Sequence, residues 1–280
     1  MKFPEFWSRV SNPRGTVIAR GWSDISLEEA TARAQDRLKR ILHALNNRRG
    51  YELGLERYVY EVDSVICEEV VQRISESGQE IAVISRNAYG SLVLNARRLM
   101  FVDVDFPRPP RRSWFARLFS KQDNASPDPQ QQTLEQLRAW QAANAQFTLR
   151  LYRTFAGIRV MVINQSFARV DEAALAMMKS LNCDELYVRL CQSQACFRAR
   201  LNPKPWRMGM ENPPVVFPFG ADAERQAFQK WLDEQTSKSA SYSVCEFLET
   251  LGNDKSLDEH RRLVELHDSY CCRSLKMPLA

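Results

Sequence analysis

Alternation of apolar and polar residues predicts most of the strands in this chain. Side chains at alternate strand positions share a face, so a period of two indicates a half-buried strand, and a short apolar run indicates a fully buried one. On this basis we predict six strands, over residues 81–85, 91–94, 98–106, 147–154, 158–164 and 196–201. Asn87 and Gly90 separate the first two and residues 156–157 separate the fourth and fifth, which indicates two tight hairpins. The first three strands are expected to form an antiparallel meander.

A period near 3.6 residues predicts the helices. The clearest one covers residues 26–47, where Ser26 and Glu29 have the spacing of a capping box. Further helices are predicted over residues 66–75, 133–145, 171–181, 221–235, 242–251 and 257–272, and short strands over residues 16–19 and 58–62. Residues 187–190 fit either a strand or a helix.

These elements indicate an α+β protein in which helices cover a largely antiparallel central sheet. Residues 1–220 form the predicted core domain, and residues 221–280 form a helical C-terminal segment packed on that core. Residues 107–132 change character, because their Pro- and Arg-rich start cannot continue a central strand and their second half is polar. We therefore predict a mobile basic insertion at residues 107–132.

Composition places the chain among globular proteins of the reducing cytoplasm. The chain has 280 residues, of which 44% are hydrophobic and 26% charged, enough for one large domain or two ordinary ones. The first ten residues lack a secretory signal, and no apolar run reaches the length of a membrane span, so we expect a cytoplasmic protein without a membrane partner. The net charge of +5 permits an anionic partner but does not require one.

Two carboxylates on one predicted strand form the first candidate site. Asp103 and Asp105 occupy alternate positions in the strand 98–106, so both project from the same face. Carboxylate oxygens are the ligands that hard divalent cations prefer, which makes the pair a candidate Mg²⁺ or Mn²⁺ site and a candidate catalytic centre. The alternative is that the two acids form ion pairs with Arg97, Arg98 or Arg159.

Two basic segments form the second candidate site. Residues 198–207 carry Arg198, Arg200, Lys204 and Arg207, with Phe197 and Trp206 beside them, and residues 111–121 lie in the predicted insertion. Cations interleaved with aromatic rings suit phosphate contacts and stacking on bases. The alternatives are a surface strand whose arginines pair with neighbouring acids, and an exposed insertion that binds nothing.

Three segments in order resemble motifs of the archaeo-eukaryotic primase and primase-polymerase superfamily. They are Phe101–Asp105 with its Asp-x-Asp, residues 152–159 with Tyr-Arg-Thr and a Gly turn, and residues 197–204 with Arg-x-Arg and a final Lys, and the resemblance covers about residues 80–210. It implies a nucleotide-processing enzyme in which Asp103, Asp105 and Asp184 hold metals and Arg198, Arg200 and Lys204 hold phosphates. The family has a His where this chain has Arg159 or Met161, and Arg159 would then contact phosphate. The order of these segments also resembles that in a group of uncharacterised bacterial proteins. This second resemblance implies no activity.

Two functions follow from these sites. The first is a divalent-metal-dependent enzyme that acts on nucleotides or nucleic acid, with Asp103 and Asp105 as ligands. The second is a non-enzymatic module that binds nucleic acid or protein through residues 111–121 and 198–207. His260, His267 and Cys271 fall on one face of the last helix and form a further candidate metal site, although buried thiols and helix-surface histidines are the ordinary explanation. The chain has no Gly-rich phosphate loop.

Overall fold

The computed structural model describes residues 1–46, 65–107, 128–253, 255–273 and 276–280. These ranges contain ten strands and six α-helices. The strands are β1 (Phe6–Ser11), β2 (Ile18–Ser23), β3 (Glu69–Glu76), β4 (Gln79–Arg86), β5 (Leu92–Ala96), β6 (Met100–Asp105), β7 (Leu149–Thr154), β8 (Gly157–Val162), β9 (Phe197–Arg200) and β10 (Cys245–Leu251). The helices are α1 (Leu27–Asn46), α2 (Pro129–Ala143), α3 (Glu172–Ser180), α4 (Glu185–Gln194), α5 (Asp222–Ser239) and α6 (Asp258–Cys271), and a 3₁₀ helix covers Pro205–Met208.

All strand pairs within the sheets are antiparallel. One four-stranded sheet, sheet I, has the order β10-β7-β8-β6, and the other, sheet II, has the order β3-β4-β5-β9. The third sheet is the β1–β2 hairpin, against which α1 packs. The α+β class, the antiparallel sheets and the C-terminal helix of the sequence prediction are therefore confirmed.

The predicted meander of three strands is wrong at its third member. β4 and β5 form the expected hairpin in sheet II, but β6 pairs with β8 in sheet I. Residues 99–102 are completely buried, so this segment needs a place that is covered on both faces. Sheet I provides such a place, because α2 and α3 cover one of its faces and α6 covers the other.

The two four-stranded sheets meet where β6 of sheet I lies beside β9 of sheet II. The Tyr187 hydroxyl of α4 lies 3.1 Å from the Phe101 carbonyl oxygen of β6 and 2.7 Å from the Arg198 carbonyl oxygen of β9, and it accepts a hydrogen bond from the Arg198 N–H at 3.1 Å. Nearby, the Asp184 N–H donates to the Asp103 carbonyl oxygen at 2.9 Å. Helix α4 therefore joins the edges of both sheets.

Two segments predicted as helices are strands. Residues 69–76 form β3, which pairs with β4, and residues 245–251 form β10, which pairs with β7 at the edge of sheet I. Each segment forms an edge strand of its sheet, where backbone pairing with the neighbouring strand outweighs a weak helical pattern. Residues 221–280 are therefore not wholly helical, since β10 lies between α5 and α6. The ambiguous residues 187–190 belong to helix α4.

The strand predicted over residues 16–19 corresponds to β2, which covers Ile18–Ser23. β1 was not predicted. Gly21 allows α1 to lie directly on β2, because a Cβ at this position would be 2.2 Å from the Ala30 carbonyl oxygen. The predicted strand 58–62 and residues 108–127 of the predicted insertion lie outside the described residues, whereas Pro129 already begins α2. None of the described helices is long and apolar enough to cross a membrane.

Candidate functional site

Asp103 of β6 forms a closed ion pair with Arg159, its register partner on β8. The Arg159 Nε donates to Asp103 Oδ1 at 2.9 Å and its Nη2 donates to Oδ2 at 3.3 Å. The Arg159 side chain is only 3% exposed, whereas the Asp103 side chain is 35% exposed. Of the three cations considered as partners in the sequence, Arg159 is the one that pairs with Asp103. The geometry therefore favours the structural alternative for this carboxylate.

Further contacts hold the Arg159 guanidinium inside the protein. Its Nη1 donates to the Arg200 carbonyl oxygen at 3.1 Å and lies 3.4 Å from His267 Nε2. Burial acts to lower the pKa of Arg159, but the adjacent Asp103 carboxylate raises it above its ordinary value. Burial acts to raise the pKa of Asp103, but the charge and hydrogen bonds of Arg159 lower it below its ordinary value. Both groups are therefore charged at neutral pH, and Arg159 is not available as a phosphate ligand in this arrangement.

Two more of the predicted phosphate ligands are engaged in the fold. Arg198 Nη2 donates to both Glu68 carboxylate oxygens, at 2.6 and 2.8 Å, and both side chains are largely buried. Arg200 Nη1 donates to the Asn202 carbonyl oxygen at 2.7 Å and lies 3.4 Å from the Ala280 carbonyl oxygen. Burial, followed by the charges of Arg159 and Arg207, lowers the pKa of Arg200 to about 10. The structure thus separates Arg198 from the surface and leaves Arg200 near it.

The structure does not assemble the three predicted metal-binding aspartates. The Asp184 carboxylate is the N-cap of α4 and accepts a hydrogen bond from the Tyr187 N–H at 2.8 Å. Asp105 is exposed at the end of β6, opposite Gly157 of β8. Among the described residues, Asp103, Asp105 and Asp184 do not form a group of carboxylates close enough to share one metal ion. The cap satisfies a free N–H of the helix, which accounts for Asp184 without a metal.

Lys204 lies in a surface of aromatic rings and cations that loops from three parts of the chain build. We call this the aromatic–cationic surface and define it by Tyr89, Phe155, Lys204, Trp206 and Arg207. Tyr89 lies in the β4–β5 turn, Phe155 in the β7–β8 turn, and the other three residues after β9. Tyr89, Phe155 and Trp206 are 48%, 56% and 48% exposed.

Each ring of this surface is in contact with another ring or with a cation. The Tyr89 and Trp206 rings meet edge to face, with centroids 5.2 Å apart. The Arg207 guanidinium lies 4.2 Å from the centroid of Phe155, and the Lys204 ammonium lies 5.4 Å from the centroid of Trp206. Within the described ranges, neither of these two cations forms a salt bridge with a carboxylate. The surface therefore presents positive charge together with flat apolar faces.

The electrostatic environment of Lys204 is positive. Burial, followed by the charges of Arg200 and Arg207, lowers the pKa of Lys204 to about 8. Asp103 and Asp105 act in the opposite direction but are outweighed. The charges of Asp103, Asp105 and Arg200 thus all act on Lys204, and the cations dominate its neighbourhood.

A cluster of thiols and one imidazole lies beneath sheet I. The ligand atoms of Cys245, His267 and Cys271 all lie within 4.8 Å of one another, and the three side chains are buried. Among the described residues this is the only such group of three, and it could hold a metal ion. His260 is not part of this group, and its Nδ1 lies 3.1 Å from the Ile163 carbonyl oxygen. The sequence indicated two of the three members but not Cys245, which lies on a different element.

The sequence also gave no indication of Tyr89 and Phe155 as site residues. Both lie in turns that were predicted correctly, and an exposed aromatic residue in a turn was the available signal. Glu68, the partner of Arg198, carried no recognisable pattern.

Comparisons of the chain with family models, with curated proteins and with solved structures find no match. The geometry of the chain itself is therefore the basis for a proposal about function.

Proposed function

We propose that this protein binds single-stranded nucleic acid on the aromatic–cationic surface, without catalysing a reaction on it. The observation that supports this proposal is the convergence of three exposed rings and two cations from separate loops. The exposed Tyr89 and Trp206 rings are in contact, and contiguous exposed apolar surface is typical of an interaction site. A partner that combines flat bases with phosphates would complement both components of the surface.

The arrangement of the rings suits stacking on unpaired bases. Trp206 and Phe155 are about half exposed, and a base could stack on the part of each ring that Lys204 or Arg207 leaves uncovered. Every base has a π-face, so stacking of this kind tolerates any sequence. A base-paired duplex buries those faces within its own stack, so single strands are the favoured class of ligand.

The cations suit the phosphate backbone. Lys204 and Arg207 flank the rings, and Arg200 adds to the positive potential around Lys204. A phosphate beside Lys204 would stabilise the protonated amine and offset the repulsion from the two arginines. Binding would therefore raise the pKa of Lys204 from about 8 towards its ordinary range.

Fluorescence anisotropy with labelled oligothymidylate and oligouridylate tests the proposal. Trp206→Ala is expected to raise Kd about 5- to 150-fold, the equivalent of about 1–3 kcal/mol for one stacked base. Trp22→Ala is the matched control, because Trp22 also lies beside two cations, Lys2 at 4.2 Å and Arg33 at 5.0 Å, on a different surface. Absence of binding by the wild-type chain at low salt, or equal effects of the two Trp variants, would contradict the proposal.

Salt and pH dependence test the role of Lys204. Lys204→Ala is expected to reduce the slope of log K against log salt by about 0.7, the value for one phosphate contact with a single strand. The wild-type affinity should fall as the pH rises above about 8, because the free protein then holds Lys204 uncharged. Lys204→Arg should keep the affinity and lose this pH dependence. A wild-type affinity that is constant from pH 7 to pH 9 would exclude Lys204 from the contact.

Metal-dependent processing of a bound nucleotide is a second candidate function. The observation that favours it is the position of Asp103 and Asp105, whose charges act on Lys204 at the margin of the same surface. Mg²⁺ or Mn²⁺ would have to bind the partly exposed side of Asp103 while Arg159 occupies the other. Calorimetric titration of either ion, with and without a nucleoside triphosphate, tests this function, and Asp105→Asn should abolish the heat. No heat in any combination would exclude it.

A further inference from the structure

We propose that Cys245, His267 and Cys271 bind a structural zinc ion, with Cys272 as the fourth ligand. Thiolates and an imidazole are the donor set of structural zinc sites, whereas Mg²⁺ and Ca²⁺ prefer oxygen donors. The three first-named side chains are completely or almost completely buried, and their ligand atoms lie within 4.8 Å of one another. None of these four residues belongs to the aromatic–cationic surface, and the assignment of zinc does not depend on the function proposed for that surface.

The backbone positions the three ligands before any metal binds. His267 and Cys271 are one turn apart on α6, so they share a face of the helix. Cys245 begins β10, and the adjacent Val244 N–H donates to the Cys271 carbonyl oxygen at 3.0 Å. The end of α6 is thus fixed beside the start of β10, and a metal ion would join the same two elements through their side chains.

Cys272 is the best available fourth ligand. Its Sγ lies 3.7 Å from the Cys245 Sγ. Tetrahedral zinc with bonds of about 2.3 Å to sulfur places neighbouring sulfur atoms about 3.8 Å apart, whereas a disulfide needs about 2.0 Å. Cys272 is outside the group of three, so its side chain would turn towards the ion from the C-cap position that follows α6. Its partial exposure leaves room for that movement.

The surroundings suit the charge and orientation of such a site. The Arg159 guanidinium lies 3.4 Å from His267 Nε2, so zinc on Nε2 would replace this contact. The positive charge of Arg159 would then offset the net negative charge of zinc with three thiolates. The other ring nitrogen, Nδ1, lies 3.0 Å from Asp268 Oδ1. We therefore assign Nε2 to the metal, with Asp268 orienting the ring through Nδ1, as carboxylates do for many metal-bound histidines.

Zinc analysis of the full-length chain, purified under reducing conditions from zinc-supplemented medium, tests the assignment. We expect stoichiometric zinc in the wild type and in Cys67→Ser, a control thiol outside the cluster, and loss of zinc in Cys271→Ser. Cobalt(II) added to the metal-free chain should give the absorption bands of tetrahedral thiolate coordination, which report ligand type independently of activity.

Two milder variants keep the test decisive if Cys271→Ser does not fold. Cys272→Ser changes a partly exposed thiol and should shift the cobalt spectrum towards fewer thiolates. Asp268→Asn should weaken zinc binding by about 10- to 100-fold, because the ring loses its orienting partner. A folded wild type with no zinc and no cobalt spectrum would overturn the proposal, as would a metal-free Cys245–Cys272 disulfide found by mass spectrometry.

Discussion

Replacement of Asp103 by Asn separates a structural ion pair from a metal site. The Asn side chain has nearly the same shape as Asp and keeps one acceptor oxygen for the Arg159 Nε, which now lies 2.9 Å from Asp103 Oδ1. The negative charge is lost, and the Arg159 side chain, only 3% exposed, keeps its positive charge inside the protein. The variant therefore measures the free-energy cost of a buried and unpaired guanidinium.

The size of that cost follows from burial. Removing one partner of a fully buried pair costs about 3–5 kcal/mol. The Asp103 side chain is 35% exposed, and the Arg200 carbonyl oxygen still accepts from Arg159, so the expected loss is about 2–4 kcal/mol of the free energy of unfolding. For a chain of this size the melting temperature should fall by about 3–7 °C.

Denaturant unfolding followed by circular dichroism measures the loss. Asp36→Asn is the matched control, because it breaks an exposed pair with Arg40 at 3.1 Å and should cost less than about 1 kcal/mol. The double variant Asp103→Leu with Arg159→Met removes both charges and should recover most of the stability. A loss below about 0.5 kcal/mol for Asp103→Asn would refute the structural interpretation of the pair.

The same pair makes stability depend on pH in a defined direction. Because Arg159 lowers the pKa of folded Asp103 below its ordinary value of 3.8, the stabilisation is fully present above that value. It is lost as the pH falls through the lower pKa of the folded state. The difference in free energy of unfolding between wild type and Asp103→Asn should therefore shrink on acidification below pH 4, and a difference that grows there would contradict the assignment.

Three further variants test contacts that support the fold, each by denaturant unfolding. Glu68→Gln leaves the buried Arg198 without its bidentate partner and should cost about 3–5 kcal/mol. Tyr187→Phe removes the hydroxyl that joins the two sheets and should cost about 1–3 kcal/mol, because the Arg198 N–H loses its acceptor. Gly157→Ala would place a Cβ 2.1 Å from the Val104 carbonyl oxygen, so β6 and β8 must separate and stability should fall by about 1–3 kcal/mol or more.

Matched controls separate these effects from general sensitivity to mutation. Asp36→Asn serves for Glu68→Gln, and Tyr89→Phe, at an exposed ring, serves for Tyr187→Phe. Gly220→Ala serves for Gly157→Ala, because its added Cβ would meet only the ends of flexible side chains. Equal losses in a variant and its control would show that the contact described here is not the cause.

Local signals explain which elements could be predicted. The β4–β5 and β7–β8 hairpins depend on turn residues and alternation within a few positions, and both are found where the sequence placed them. β3 and β10 were both predicted as helices, for different reasons. β3 forms a tight hairpin with β4 around Ser77 and Gly78, a local turn signal that the prediction missed, whereas the identity of β10 depends on a distant strand. β10 pairs with β7, which lies about ninety residues earlier in the chain, and no local pattern contains that information.

The candidate site likewise contains residues that a local pattern indicated and residues whose role depends on distant contacts. The segment with Lys204, Trp206 and Arg207 was recognisable from its interleaved cations and rings, which are adjacent in sequence. Arg198 in the same segment was expected to contact phosphate but pairs with Glu68, because a sequence pattern does not show which cation a fold buries. For Asp103 the sequence could not decide between a metal site and an ion pair, and the pair with Arg159 was one of the alternatives that it left open.

Arg200 connects the two sites proposed here. Its carbonyl oxygen accepts from the Arg159 guanidinium at 3.1 Å and lies 3.5 Å from the Cys271 Sγ, while its own charge lowers the pKa of Lys204. Metal binding at the cluster would convert the Cys271 thiol to a thiolate, which no longer donates to that carbonyl oxygen. The position of Arg200, and with it the potential at Lys204, should respond. Zinc removal is therefore expected to alter the affinity for single strands. Trp206→Ala should leave the zinc content unchanged, because the ring contacts described for Trp206 are with Tyr89 and Lys204, which are not ligands.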